Sequence, residues 1–329
     1  MSELRKDLIT GRWVIIHKEG RRTKKRLPSQ SLAKPKDEKD CPFCPESISD
    51  IKEKELLSYR DQENRWSIRV VPDKFPIVDS EGELDKEGVG VVYDRMNSIG
   101  SHEIIIESPM HDQTLDTLPY DQLEKLIWAY KERFLKLKEN KTIKHILIVK
   151  NYGKTAGGLV IHPHSQLIAL PIIPKSINEE LAGSKKYFGF HQRCVYCDII
   201  YEELRKPKER IIFNNNYFIS LVPFAPRFSY ETWILPCTHN SSFENISDQE
   251  IKNLASILKD TLTKIKINLN NPGYNLILHS GPLKENYLPE YHWHIEIMPK
   301  LYRSTGYEWG SGVYINYTFP EKAAQLLRR

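Results

Sequence analysis

The chain of 329 residues lacks any apolar run approaching the ~20 residues that a membrane-spanning helix needs. The longest, Ile146 to Val149 and the Pro171-interrupted stretch from Leu167 to Ile173, fall far short. The first residues, Met1-Ser2-Glu3-Leu4-Arg5-Lys6-Asp7, also lack the apolar stretch of a secretory signal, so the expectation is a cytoplasmic protein with no membrane partner. Cysteine is scarce and odd in number, five in all, which argues against a disulfide framework. An excess of charge is missing as well. The 48 Lys and Arg against 43 Asp and Glu leave +5, and the arm from Lys18 to Arg26 carries all of it, with six basic residues against Glu19. The rest of the chain is neutral, which excludes a broadly basic nucleic-acid surface and leaves a local anion contact or a solvated loop.

What remains is an ordinary core-forming composition, 40% hydrophobic and 28% charged, at a length that suggests two domains. Four of the cysteines form two Cys-x-x-Cys pairs, Cys41/Cys44 and Cys194/Cys197, whose spacing favours metal binding or redox chemistry; Cys237 stands alone and reads as a small buried residue.

The two pairs, 153 positions apart, open two copies of one pattern. Each is followed by a strand-like segment, Trp66 to Pro72 and Tyr217 to Pro223, then by Glu103 to Ile106 and Glu231 to Ile234, then by a histidine, His111 and His239. Helical periodicity follows, with Leu123, Leu126, Tyr130 and Phe134 matched by Ile251, Leu254, Leu258 and Leu262. Pro119 opens the first helix and the capping-box pattern Ser247-Asp248-Gln249-Glu250 opens the second. Each helix leads to an apolar strand, Ile146 to Val149 or Leu276 to Leu278, and then to His162-Pro163-His164 or His292-Trp293-His294. The order predicts an α+β fold of two like units, each a mainly antiparallel sheet with helices packed on it. The halves are expected at residues 1–175 and 176–329, with the boundary between 175 and 190, where Pro174, Lys175, Asn178 and Gly183 interrupt the periodicity.

Tetrahedral zinc takes two thiolates and two imidazoles, so the repeat selects Cys41, Cys44, His111 and His162 in the first copy and Cys194, Cys197, His239 and His292 in the second. Any of these histidines alone would be better read as a hydrogen-bonded structural residue; four ligands at equivalent places in both copies reverse that. The thioredoxin type of redox pair leaves the histidines unexplained.

In an extended segment His162, His164 and Gln166 share a face, so His162 can turn to a metal while His164 points into a cleft. The stretch Asn151 to Gly158 is glycine-rich, and Gly157 and Gly158 would let backbone amides approach an anion; by itself such a loop is equally a surface turn. Neutral imidazole attacks phosphorus well, and Gln166, which does not titrate, can donate to a phosphate oxygen. In the second copy the matching face reads His292, His294, Glu296, and a carboxylate there would repel phosphate, so that site is expected to be structural only.

These motifs resemble the galactose-1-phosphate uridylyltransferases and their nucleotidyltransferase relatives in the histidine-triad superfamily. The likeness runs from Thr10-Gly11-Arg12-Trp13-Val14 through Cys41-Pro42-Phe43-Cys44, the Asn151 to Gly158 loop and His162-Pro163-His164-Ser165-Gln166 to Gly306-Tyr307-Glu308-Trp309-Gly310. The resemblance implies a ping-pong exchange in which His164 takes a uridylyl group from UDP-glucose, glucose 1-phosphate leaves, and galactose 1-phosphate takes the group. It further implies Gln166, Asn151 and Arg22 or Arg26 on the phosphates, a structural first zinc, and a homodimer in which Tyr307 and Glu308 contact hexose in the partner's site. Asp73-Lys74 stands where enterobacterial members have an Asn-Asp nucleoside pair, and Leu159 where they have serine. Cys194/Cys197 align the chain with a two-zinc branch, with iron as an alternative at the second site and Glu180 and His279 as remaining ligand candidates. That branch also includes adenylyl-transferring members, which makes an ADP-glucose and phosphate adenylyltransferase the runner-up. A histidine-triad hydrolase would end its motif in histidine where this chain has Gln166, and a zinc-binding nucleic-acid module finds no aromatic interleaving in the basic arm.

Overall fold

A computed structural model describes residues 2–17, 41–45, 55–205, 209–285 and 287–329; Arg22 and Arg26 lie outside them. In chain order the first half contains β1 (Glu3–Lys6), β2 (Trp13–Ile16), β3 (Leu57–Arg60), β4 (Trp66–Pro72), a small hairpin of β5 (Glu87–Val89) and β6 (Tyr93–Arg95), β7 (Ser101–Ile106), α1 (Tyr120–Lys138), β8 (His145–Tyr152) and β9 (His164–Leu170). It is followed by α2 (Lys175–His191), α3 (Val195–Arg205), β10 (Ile211–Asn214), β11 (Phe218–Leu221), β12 (Thr232–Pro236), α4 (Asp248–Leu269), β13 (Tyr274–His279), β14 (His294–Pro299), α5 (Gly306–Ser311), β15 (Tyr314–Asn316) and α6 (Pro320–Leu327).

Ten of these strands form one sheet in the order β10-β11-β12-β14-β13-β8-β9-β7-β4-β3. Every neighbouring pair in it is antiparallel. Read outward from the centre, the two halves list equivalent strands in the same order, so the repeat is a pseudo-two-fold. Its axis can be located: Ile148 on β8 faces Leu278 on β13, and these residues are themselves 130 positions apart, the offset that relates His162 to His292. The two units thus share one sheet.

The expected periodicities place the core. On α1, Leu123, Leu126, Tyr130 and Phe134 are buried, and on α4 so are Ile251, Leu254, Leu258 and Leu262; both helices join one apolar cluster on the same face of the sheet. Ser247 and Glu250 make the reciprocal capping box, and Pro119 precedes the first turn of α1.

The opposite face differs between the halves. In β9 burial alternates, with His164 and Gln166 half-exposed and Ser165 and Leu167 buried, whereas every residue of β14 is buried. The cover over the second half comes from α2, α3 and the N-terminal turn, where Ile9, Cys194, Val195 and Tyr196 pack on Ile219, Leu221, Trp233 and Leu235. Residues 175–190, expected as an interruption, are therefore helix: α2 starts after Pro174, Asn178 Nδ2 donates to the Ile173 carbonyl at 3.1 Å, and Gly183 lets the helix approach the N-terminal turn so closely that a Cβ would sit 1.7 Å from the Ile9 oxygen. That glycine serves a close approach. The ends of the chain meet in a second sheet, β1-β2-β15, which Arg5 ties to α6 through Glu321, a carboxylate also bonded by Arg210 just before β10. No helix among the described residues is long and apolar enough to cross a membrane.

Candidate functional site

Both expected ligand sets assemble. The donor atoms of Cys41, Cys44, His111 and His162 lie within 4.8 Å of one another, as do those of Cys194, Cys197, His239 and His292. Cys44 Sγ is 3.2 Å from His111 Nδ1 and 3.5 Å from His162 Nδ1; Cys197 Sγ is 3.5 Å from His239 Nδ1 and 3.7 Å from His292 Nδ1. Zinc–sulfur and zinc–nitrogen bonds at a tetrahedral angle separate such atoms by about 3.5 Å, so both clusters fit a Cys2His2 metal. The tautomers agree. His162 Nε2 lies 2.8 Å from the Ser108 carbonyl and His292 Nε2 2.9 Å from the Pro236 carbonyl. A carbonyl only accepts, so Nε2 carries the proton and Nδ1 offers its lone pair to the cluster. Burial, partly opposed by the bond to the Ser108 carbonyl, lowers the His162 pKa to about 4, which keeps the ring neutral. Glu180 and His279 join His294 and Glu296 in a third cluster instead, where His279 and Arg227 answer the carboxylates.

From His162 the chain turns into β9 and delivers His164 to the half-exposed face. His164 Nδ1 donates to the His162 carbonyl at 2.7 Å, leaving the Nε2 lone pair free for attack. Burial, then the Lys150 charge, hold its pKa below the ordinary histidine value, so it is a neutral base at neutral pH. The ring of Phe43, from the Cys-Pro-Phe-Cys turn, sits 5.0 Å from that of His164; the first cluster thus fixes both the histidine and one wall beside it. Gln166 is next on the same face.

The Asn151 to Gly158 loop is a built turn. Gly153 and Gly157 have φ of 80° and 85°, the amides of Ala156 and Gly158 both donate to the Gly153 carbonyl at 3.0 Å, and a Cβ on Gly158 would lie 2.5 Å from the Asn151 oxygen. From the other half Asn275, the cross-strand partner of Asn151, donates to Asn151 Oδ1 at 2.7 Å and to the Ala156 carbonyl at 2.8 Å. Asp73 closes β4, accepts from the Phe75 amide at 2.8 Å, and lies 3.3 Å from His102 Nε2. Leu159 is almost fully exposed. Tyr307 and Glu308 belong to α5. Tyr307 is exposed, while the buried Glu308 carboxylate accepts from the Thr305 and Ile315 amides and lines a pocket of the second half with Arg227, Tyr302 and Tyr317.

In the second copy His294 repeats the bond to its neighbour, Nδ1 to the His292 carbonyl at 3.1 Å, yet it is buried under Tyr196, 5.2 Å away, and Glu296 is bonded by Arg227. Both the covering and the carboxylate unsuit it for phosphate. Lys150, Glu107, Phe43 and Asn275 escaped sequence reasoning. Lys150 alone carried a signal, a charge inside an apolar strand; Asn275 depends on the register across the dyad.

This geometry has counterparts. The model of the galactose-1-phosphate uridyl transferase N-terminal domain matches residues 1–174, and that of the C-terminal domain matches residues 180–307. An ADP-glucose phosphorylase of Arabidopsis thaliana is 34% identical over 330 residues, covering 99% of this chain and 92% of its own. A galactose-1-phosphate uridylyltransferase of Thermotoga maritima is 30% identical over 337 residues, covering all of this chain and 98% of its own. A crystal structure of an Arabidopsis thaliana ADP-glucose phosphorylase with bound ADP-glucose has a TM-score of 0.84 at 32% identity, covering 100% of this chain and 98% of that one. With both family models matched across most of its length, the chain belongs to the galactose-1-phosphate uridyl transferase family.

Proposed function

We propose that the protein is a cytoplasmic, homodimeric nucleotidyltransferase that exchanges a UMP group between UDP-glucose and galactose 1-phosphate through a nucleotidyl-histidine at His164. The observation that carries this is the bond from His164 Nδ1 to the His162 carbonyl, which presents Nε2 on a half-exposed face beside Gln166. Attack by Nε2 on the α-phosphorus forms the P–N bond while the P–O bond to glucose 1-phosphate breaks and the electron pair leaves with that oxygen. The imidazole becomes cationic; Nδ1 keeps its proton, hydrogen-bonded to the His162 carbonyl, which disperses the charge. In the return step a phosphate oxygen of galactose 1-phosphate attacks the same phosphorus and His164 leaves as neutral imidazole. Gln166 would donate to the non-bridging oxygens, with Asn151 and the turn built by Gly157 and Gly158 beside the phosphates. Asp73 faces the nucleoside in this reading, Arg22 or Arg26 supplies a cation, and Tyr307 and Glu308 serve the hexose of the partner's site. Two zinc ions per chain, the second replaceable by iron, would be held by Cys41, Cys44, His111 and His162 and by Cys194, Cys197, His239 and His292. Their contribution would be structural, the first fixing the segments that carry Phe43 and His164 and the second fixing the start of α3 against His239 and His292.

The second reading, adenylyl transfer from ADP-glucose with phosphate as acceptor, keeps every one of these residues and changes the nucleoside; the 34% identity to the Arabidopsis thaliana ADP-glucose phosphorylase favours it. Incubation with UDP-glucose or ADP-glucose labelled at the α-phosphorus, in one assay, is expected to leave label on His164 and to name the nucleotide. Full exchange activity in His164→Ala would sink the mechanism.

A further inference from the structure

Behind His164, on the face turned to the core, lies a chain of buried polar groups. Lys150 Nζ donates to Glu107 Oε2 at 2.7 Å and to the backbone carbonyl of His164 at 3.0 Å. Glu107 accepts from Ser165 Oγ on its other carboxylate oxygen, and Ser165 Oγ is 2.6 Å from the Tyr130 hydroxyl. The Glu107 amide donates to the Pro163 carbonyl at 3.0 Å. All four side chains are buried, with Glu107 at 0% and Lys150 at 4% exposure. Together with the bond from His164 Nδ1, they engage three successive carbonyls, those of His162, Pro163 and His164.

The duplication supplies an internal control. Tyr130 matches Leu258, Lys150 matches Ser280 and Ser165 matches Ile295. Glu107 stands three residues beyond Ile104, which faces Gln166, so by strand register its counterpart is Pro236, three beyond Trp233, which faces Glu296; by the carbonyls that hold His162 and His292 it is Leu235, and neither is ionisable. The same fold in the same sheet is therefore built without the ion pair, with Leu258 and Ile295 buried and Ser280 Oγ merely accepting the Phe243 amide. Buried ion pairs are costly to desolvate, and apolar replacements often match or exceed their stability. A network kept only in the half with an open histidine serves that histidine.

We propose that Lys150, Glu107, Ser165 and Tyr130 form a positioning network that fixes the strand segment carrying His164 for in-line attack on phosphorus. The inference rests on the reading that His164 carries the nucleotidyl group. Three anchored carbonyls leave the segment little freedom, and displacement of a reacting group by about 1 Å can cost roughly 100-fold in rate.

The test is the double variant Glu107→Gln with Lys150→Met, which removes both charges and strands neither. Folded protein is expected, with a melting temperature close to the wild type, while the single-turnover rate of His164 labelling and kcat both fall by roughly 10- to 100-fold. KM for the nucleotide sugar should stay within about twofold, since the network touches no substrate. An unchanged labelling rate in the folded variant overturns the proposal. Should the double variant fail to fold, Ser165→Ala decides: it keeps the ion pair, and a wild-type labelling rate there overturns the proposal equally, whereas a several-fold drop with unchanged melting supports it. Absence of label on wild-type His164 from either donor would be a failure of the functional reading, distinct from either result.

Discussion

Gly158 shows how far a single residue can be read. A Cβ there would meet the Asn151 oxygen at 2.5 Å and the Gly153 nitrogen at 2.9 Å, both backbone atoms that cannot swing aside, whereas a Cβ on Gly157 meets nothing within 4 Å and suffers only from its φ of +85°. Gly158→Ala is therefore expected to displace the loop and lower kcat/KM by roughly 100-fold. Gly157→Ala should cost only about 1 kcal/mol of stability from the left-handed backbone. Steady-state kinetics beside urea unfolding separates the two; equal kinetic losses would show that the close approach is not what matters. At this scale the sequence was informative where residue type decides the chemistry. The eight candidate ligands were selected by spacing and repetition, and His164 and Gln166 by their shared strand face, because a metal or phosphate site must present certain donors. Phe43, Glu107 and Asn275 were hidden because nothing in their types announces a partner more than a hundred residues away or across the sheet.

Among elements, the two Cys-x-x-Cys segments, drawn to their histidines, and the helix pair were legible, and residues 175–190 were not. Pro and Gly were read there as breakers, yet Pro174 sits just outside α2 and Gly183 faces the Ile9 carbonyl. A helix starter and a close-packing glycine look like linker residues until the partner surface is known. The Cys41 to Cys44 turn carries a consequence for activity, since it holds Phe43 against His164 and clusters with His162. Freshly purified protein should contain about two zinc ions per chain. Chelation should slow His164 labelling by about tenfold or more and lower the melting temperature, measured by metal analysis alongside single-turnover assays. A metal content near zero with full activity would remove both sites.

For the whole molecule, the meeting of the chain ends predicts the acid response. Burial raises the Glu321 pKa, but the hydrogen bond and charge of Arg5, joined by Arg210, outweigh it and leave the carboxyl below its ordinary 4.5. A carboxylate with a depressed folded pKa contributes its stability in full above the unfolded value, and that contribution is lost as pH falls through the folded value. Between neutral pH and about 5 the hub should be intact, and below about 4.5 the β1-β2-β15 sheet and α6 should loosen. Hydrogen exchange at Arg5 and Ala324, compared with Ile105 in the central sheet, checks this; equal loss of protection at all three would contradict it. The shared sheet holds one more lesson, at the Ile148 and Leu278 pairing on the dyad. In an assembly of two identical chains every change of sequence falls on both sides at once. Joined end to end, the two sides can change separately: one accepted α2, α3 and a carboxylate over its histidine, while the other stayed open, and the sheet between them kept its register.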